Sequence, residues 1–156
     1  MIRFYDIDSN YVDYLRSIDK QIPNINYDSN NKFVCGVVFQ IGNIKYYAPV
    51  SHMNKQQRTN LLIYDGNKPI SSIRFSFMLP AFEDVLTEKD FDDILQTDSD
   101  YYRLLVKEYD YCKEHEYDIL EKARAVYKIG CNKNHKFNYA CCDFKLLEQK
   151  YKEYKK

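Results

Sequence analysis

The sequence predicts an α+β fold in one domain: a compact antiparallel, partly barrel-like β-sheet core packed by several α-helices. Three observations predict it. β-rich runs separated by tight turn signals crowd into the first half of the chain, and apolar residues at helical spacing take over in the second half. No linker or repeat divides the 156 residues, a length suited to one hydrophobic core.

The elements follow in order. Residues 2–7 read as a short strand, and Ser9 is placed to cap a helix whose Val12, Leu15 and Ile18 share a face. Residues 22–31, IPNINYDSNN, are rich in turn formers and read as an exposed loop carrying Tyr27. The run KFVCGVVFQIGNIKYYAPV holds two β-rich segments around Gly42-Asn43, a two-residue hairpin signal. In an antiparallel pair the outer ends meet, so Lys32 before the hairpin and Ser51-His52 after it share one end of the sheet. Further strands are expected over residues 61–64 and 70–78, joined at Asp65-Gly66-Asn67 and ended by Pro80. The acidic stretch 83–100 suggests short helical or irregular pieces. Helical spacing returns with Tyr101, Leu104, Leu105, Tyr109 and Cys112, then with Ile119, Leu120, Ala123, Val126 and Tyr127, and Gly130 is the expected stop. Phe144, Leu147, Tyr151 and Tyr154 mark a last helix.

Composition narrows the function classes. With 45% hydrophobic and 29% charged residues the chain has the make-up of a folded globular protein. No apolar run approaches the roughly 20 residues that span a bilayer, and the acidic N-terminus lacks the pattern of a signal peptide, so a cytoplasmic protein with no membrane partner is expected. Five cysteines without CxxC spacing agree with reduced thiols. Cys131, His135, Cys141 and Cys142 lack the paired spacing of a zinc site, and Glu83, Asp84, Asp92 and Asp93 follow no convergent pattern. Neither a metal nor another cofactor is expected.

Charge is balanced at 23 of each sign but unevenly spread. Residues 61–121 hold six basic and fifteen acidic residues, whereas residues 122–156 hold ten and three. A basic segment of this kind fits a polyanionic partner and equally fits a solvated helical face. Sixteen tyrosines with no tryptophan add rings that stack on bases, although most tyrosines at a domain surface are simple packing. The candidate RNA contacts are Asn54, Lys55, Arg58, Lys122, Arg124, Lys128, Lys133, His135 and Lys136, with His115 structural.

The ordered segments RFYDIDSNYVDYLRSID, NKFVCGVVFQI, IKYYAPVSHMNK, ISSIRFSFMLP and CDFKLLEQKYKEY resemble the ToxN/AbiQ family, the toxins of type III toxin–antitoxin systems. The resemblance spans essentially the whole chain. It implies a metal-independent endoribonuclease with a core related to MazF/Kid-like RNases. It further implies inhibition by a small repeated RNA, folded as a pseudoknot-like element, within a closed protein–RNA assembly that serves phage defence or locus maintenance. The family's active-site tyrosines fall on Tyr11 and Tyr27 and its hairpin lysine on Lys32. Its pair of small hydroxyl residues falls on Ser51 and on His52, which departs from the pattern, and the lysine that follows is Lys55, with Asn54 the alternative.

The chemistry so implied is attack of a 2′-OH on the adjacent phosphate. Lys32 would supply a fixed positive charge to the non-bridging oxygens, and Ser51 would hydrogen-bond the same phosphate. Histidine is the side chain whose ordinary titration falls near neutrality, which makes His52 the natural proton carrier, although a lone histidine after a strand also reads as a plain surface residue. Tyr11 and Tyr27 would orient phosphate or base. Two other classes stay open at the level of sequence: a MazF-like RNA interferase with a protein antitoxin, and an RNA-binding module without chemistry.

Overall fold

The computed structural model describes residues 1–24 and 32–155. Tyr27 lies outside the described residues. Seven strands and five α-helices are present among them. In chain order these are β1 (Arg3–Ile7), α1 (Ser9–Ile18), β2 (Phe33–Ile41), β3 (Ile44–Ser51), β4 (Asn60–Asp65), β5 (Lys68–Arg74), β6 (Leu79–Ala81) and β7 (Leu86–Glu88), then α2 (Phe91–Thr97), α3 (Ser99–Glu114), α4 (Glu116–Cys131) and α5 (Phe144–Lys150).

The strands form one antiparallel sheet in the order β4-β5-β3-β2-β1-β7. β3 is its centre. β2 pairs along one side of it from Phe33↔Val50 to Ile41↔Ile44, while the other side is shared by β6 near the start and β5 at the end. The expectation of a partly barrel-like sheet needs correction, since β4 and β7 are terminal strands and the sheet does not close. The helices cover the sheet instead of a second layer of strands.

Both hairpins sit where the turn signals put them. Gly42 and Gly66 have φ of +58° and +60°, a region that glycine enters without a Cβ penalty. Other details differ. Asp8, not Ser9, caps α1: its carboxylate accepts from Asn10 N at 2.8 Å. The run expected to continue to residue 78 breaks after Arg74 into a 3₁₀ turn, Phe75–Phe77, and Pro80 lies inside β6 rather than after a strand. Residues 83–100 include β7, a three-residue strand that only its pairing with β1 defines. Gly130 lies one residue before the end of α4 at Cys131, and a glycine is needed there because a Cβ would stand 2.2 Å from the Phe144 ring of α5.

One face of the sheet carries Phe4, Phe33, Cys35, Ala48, Val50 and Ile73, against which α3 and α4 pack Leu105, Cys112, Ile119, Ala123 and Val126. Each large apolar side chain buried there contributes about 1.5–3 kcal/mol. No helix of the described residues is long and apolar enough to cross a membrane.

Candidate active site at the end of the sheet

The register of β2 with β3 settles where the hairpin's ends lie. Phe33 stands opposite Val50, so half-buried Lys32, just before β2, and Ser51, the last residue of β3, lie at the same end of the hairpin. On the other side of β3, Ser51 stands opposite Ser72 of β5. Paired residues in an antiparallel ladder share a face. Ser51 and Ser72 therefore share a face, and Lys32 lies at the same end of the sheet.

Ser51 is 7% exposed and Ser72 fully buried, and neither hydroxyl oxygen has a protein hydrogen-bond partner. A buried hydroxyl without a partner costs about 1–3 kcal/mol, so two on paired residues at a strand end are a feature to be explained. Among the described residues only Tyr101 OH is also buried without a partner, and it lies beside Lys89, whose Nζ is 5.3 Å from the Tyr101 ring centre.

Past Ser51 the chain leaves the sheet. His52, Asn54, Lys55 and Arg58 are all exposed on the loop between β3 and β4. That loop is organised by Asn60, the first residue of β4 and 1% exposed. Its carboxamide donates to Lys55 O at 3.0 Å and accepts from Gln57 N at 2.8 Å and Gln56 Nε2 at 2.9 Å. One buried side chain thus ties the backbone of the segment that carries the candidate RNA contacts.

A second loop meets the first at the same end. Arg58 lies over the Phe137 ring at 5.2 Å, as does Lys136, and His135 is 5.9 Å from that ring. His135 Nδ1 accepts from Phe137 N at 3.1 Å, leaving Nε2 as the ring's other polar atom. Arg58, His135 and Lys136 are thus brought together. Lys133 is exposed on the same loop. Lys128 and Arg124 follow on one exposed side of α4, whereas Lys122 lies on the opposite flank of that helix by its 3.6-residue spacing, so the basic group splits.

Tyr11 is placed elsewhere. It is fully buried on α1, its hydroxyl donates to Pro80 O at 2.6 Å, and Phe82 and Tyr154 pack edge-on against its ring. Burial pushes its phenol pKa far up. Pro80 pairs with Tyr46 near the start of β3, so the structure does not present the Tyr11 hydroxyl beside Ser51 at the strand's other end. Ser72 and Asn60 are what sequence reasoning missed. Only the pairing of β5 with β3 brings Ser72 to Ser51.

A larger cavity, about 460 Å³, is at the β1–β7 side of the sheet and includes Arg3, Glu88, Lys89 and Phe91 in its walls. Its two cations are each paired with a carboxylate, Arg3 with Glu88 at 3.1 Å and Lys89 with Asp6 at 2.7 Å, and Asp90 and Asp92 add negative charge to its wall. The end of β3, where exposed His52, Lys55 and Arg58 follow the buried unpartnered hydroxyls, is better suited to a long polyanion than that cavity is. Among the described residues no three His, Cys, Asp or Glu side chains converge as a metal site would require.

The chain is 28% identical to the endoribonuclease ToxN of Bacillus thuringiensis subsp. kurstaki over 98% of its own length and 84% of that protein. It is 26% identical to the endoribonuclease ToxN of Pectobacterium atrosepticum, covering 99% and 95% of the two chains. The fold superposes with a TM-score of 0.90 on a type III toxin whose selective inhibition by a non-coding RNA pseudoknot has been described, at 26% identity and over 98% and 97% of the chains. A protein of a bacterial antiviral system regulated by a processed non-coding RNA gives 0.84 at 25% identity over 99% of each. The family model for toxin ToxN of type III toxin–antitoxin systems matches residues 3–152. The chain belongs to the ToxN toxin family of type III toxin–antitoxin systems.

Proposed function

We propose that this protein is an endoribonuclease toxin, held inactive by a folded small RNA, that cleaves RNA at the sheet end that carries Lys32, Ser51 and Ser72. The observation that carries the reading is the pair of buried hydroxyls without protein partners, on paired residues of β3 and β5, with Lys32 at the same end of the hairpin. Unpaired donors preset in a partly dry site stabilise a developing oxyanion without reorganising.

In this mechanism the 2′-OH of one nucleotide attacks its own 3′-phosphate. A 2′-O–P bond forms, the P–O5′ bond breaks, and the products are a 2′,3′-cyclic phosphate and a free 5′-OH. Lys32 stabilises the added negative charge on the non-bridging oxygens, and Ser51 donates to one of them. Ser72, the cross-strand neighbour of Ser51, offers a second hydroxyl donor to the same phosphate. His52, exposed at the strand's end, moves the proton between the attacking and leaving oxygens. Asn54, Lys55 and Arg58 hold the flanking strand. Tyr27 orients the base or phosphate, and Tyr11 acts through packing of α1 on β6. A fixed ammonium and a proton carrier are the whole chemical requirement, so the reaction proceeds without a divalent metal.

The inhibitor is a folded RNA held in a closed assembly with several toxin copies, its phosphates resting on the basic segment that includes Arg124, Lys128, Lys133 and Lys136. Inside the cell the protein serves phage defence. The test is incubation of purified protein with single-stranded RNA in EDTA, with end analysis of the products. Cyclic-phosphate ends formed at an undiminished rate are expected. Cleavage that disappears in EDTA and returns with magnesium overturns the mechanism, and RNA left intact under every condition favours a binding module.

A further inference from the structure

We infer that the pocket between the β3–β4 loop and the loop after α4 is a nucleobase-binding subsite, with Tyr139 as its stacking platform. This rests on the reading of the chain as an RNA-cleaving toxin and names where a flanking nucleotide of the bound RNA goes. The pocket, about 240 Å³, is lined by Gln57, Arg58, Thr59, Phe137, Tyr139 and Ala140.

Four observations converge on it. The first is the state of Tyr139: the ring is 74% exposed, although its backbone is pinned. Tyr139 O accepts from Gln21 Nε2 at 2.9 Å, and the preceding Asn138 carboxamide donates to Ile129 O and Gly130 O at the end of α4. An exposed tyrosine alone is ordinary. One whose backbone is fixed at the mouth of a pocket has only its side-chain rotations left to order on stacking.

The second is charge. Arg58 and Lys136, from different loops, lie over the Phe137 ring in the pocket wall, which sets two cations where the phosphate of a stacked nucleotide runs. The third is the neighbouring polar group. The Gln57 backbone is fixed by its N–H to Asn60, and its exposed carboxamide offers a donor and an acceptor for the edge of a base. The fourth is position. Asn60 pairs with Arg74, two residues along β5 from Ser72. Strand spacings therefore place the pocket about 10–15 Å from Ser51, within reach of a few nucleotides.

A pocket with an aromatic shelf, two cations and one carboxamide suits a nucleotide of single-stranded RNA far better than an acidic peptide, which has no use for the shelf. The RNA comes from the substrate or from the inhibitory RNA, and both present the same chemistry. Both sources are separable by experiment. A short unstructured oligonucleotide 2′-O-methylated at every position, its 5-iodouridine included, cannot be cleaved, and on irradiation it should cross-link to Tyr139, located by peptide mass mapping. Tyr139→Ala should remove that cross-link and weaken binding of the oligonucleotide about tenfold, while Tyr139→Phe keeps the affinity. Gln57→Ala should broaden the sequences at which wild-type substrate RNA is cut.

The RNA that co-purifies with the toxin forms the second arm. Protection of Tyr139 from iodination in that complex assigns the subsite to the inhibitor as well, and full reactivity there assigns it to substrate alone. Cross-links confined to other residues, together with unchanged affinity in Tyr139→Ala, overturn the inference. Because the probe is uncleavable, its binding and cross-linking are independent of whether the Lys32–Ser51 site performs catalysis.

Discussion

Tyr46 near the start of β3 and Ser51 at its end carry hydroxyls in opposite circumstances. The Tyr46 and Tyr127 hydroxyls both donate to Glu148 Oε2, at 2.7 and 2.6 Å, and Lys145 approaches the other carboxylate oxygen at 3.6 Å. On the same sheet Ser51 and Ser72 are buried without a protein partner. Where α4 and α5 press on the strand, each polar group is answered, because an unanswered one there destabilises the fold with nothing gained. Where β3 runs out, two are left open. The difference separates a region whose polar groups are satisfied within the fold from one that leaves two hydroxyls unpaired, which is where the proposed phosphate site lies.

The largest expected effects fall on the open end. Lys32→Ala and His52→Ala should each lower the single-turnover cleavage rate by about 10²- to 10⁴-fold. A His52→Ala protein that cuts saturating RNA at the wild-type rate would move proton transfer to another group, with Lys55 or Tyr27 next.

The packed region should instead answer in stability. Glu108 of α3 is 2% exposed, and burial raises its pKa from an ordinary 4.5 to about 7, partly offset by the Ser71 hydroxyl donating to it at 2.6 Å. The folded protein therefore binds a proton that the unfolded chain releases between those values. The stability linked to that proton is fully present below pH 4.5 and is lost as pH rises through about 7, on the order of 3 kcal/mol in all. Glu108→Gln should flatten this loss and raise the denaturant midpoint at pH 8 relative to the parent. A parent midpoint independent of pH across that window would show that the carboxyl is not so buried.

Tyr11→Phe should have the smallest effect of the three. It strands Pro80 O and should cost about 1–2 kcal/mol of stability while leaving the saturated cleavage rate near wild type. Loss of cleavage at unchanged stability would return Tyr11 to the active site.

How legible these regions were in the sequence follows from how local their causes are. The hairpins at Gly42 and Gly66 and the helices α3 and α4 were readable, since turn residues and helical periodicity act within a few positions. β6 and β7 were not. Each has three residues, and their partners in β3 and β1 stand far away in sequence. Pro80 looks like a terminator until β3 is seen to pair with it. The same rule divides the site. Lys32 and Ser51 were placed together because one hairpin joins them, whereas Ser72 arrives through the non-local pairing of β5 with β3. Asn60 reads as a turn residue, and only its burial reveals it as the anchor of the loop before it.

The central claim, that the strand end keeps its hydroxyls open for RNA, is tested most directly by the single-turnover rate of Ser51→Ala measured beside its denaturant midpoint. Removing a hydroxyl that serves the phosphate should lower the rate about 10²- to 10³-fold. Removing one that has no protein partner should leave the midpoint unchanged or slightly raised, since no bond is lost. A variant that cleaves at the parent rate would contradict the account, most clearly if its midpoint also fell.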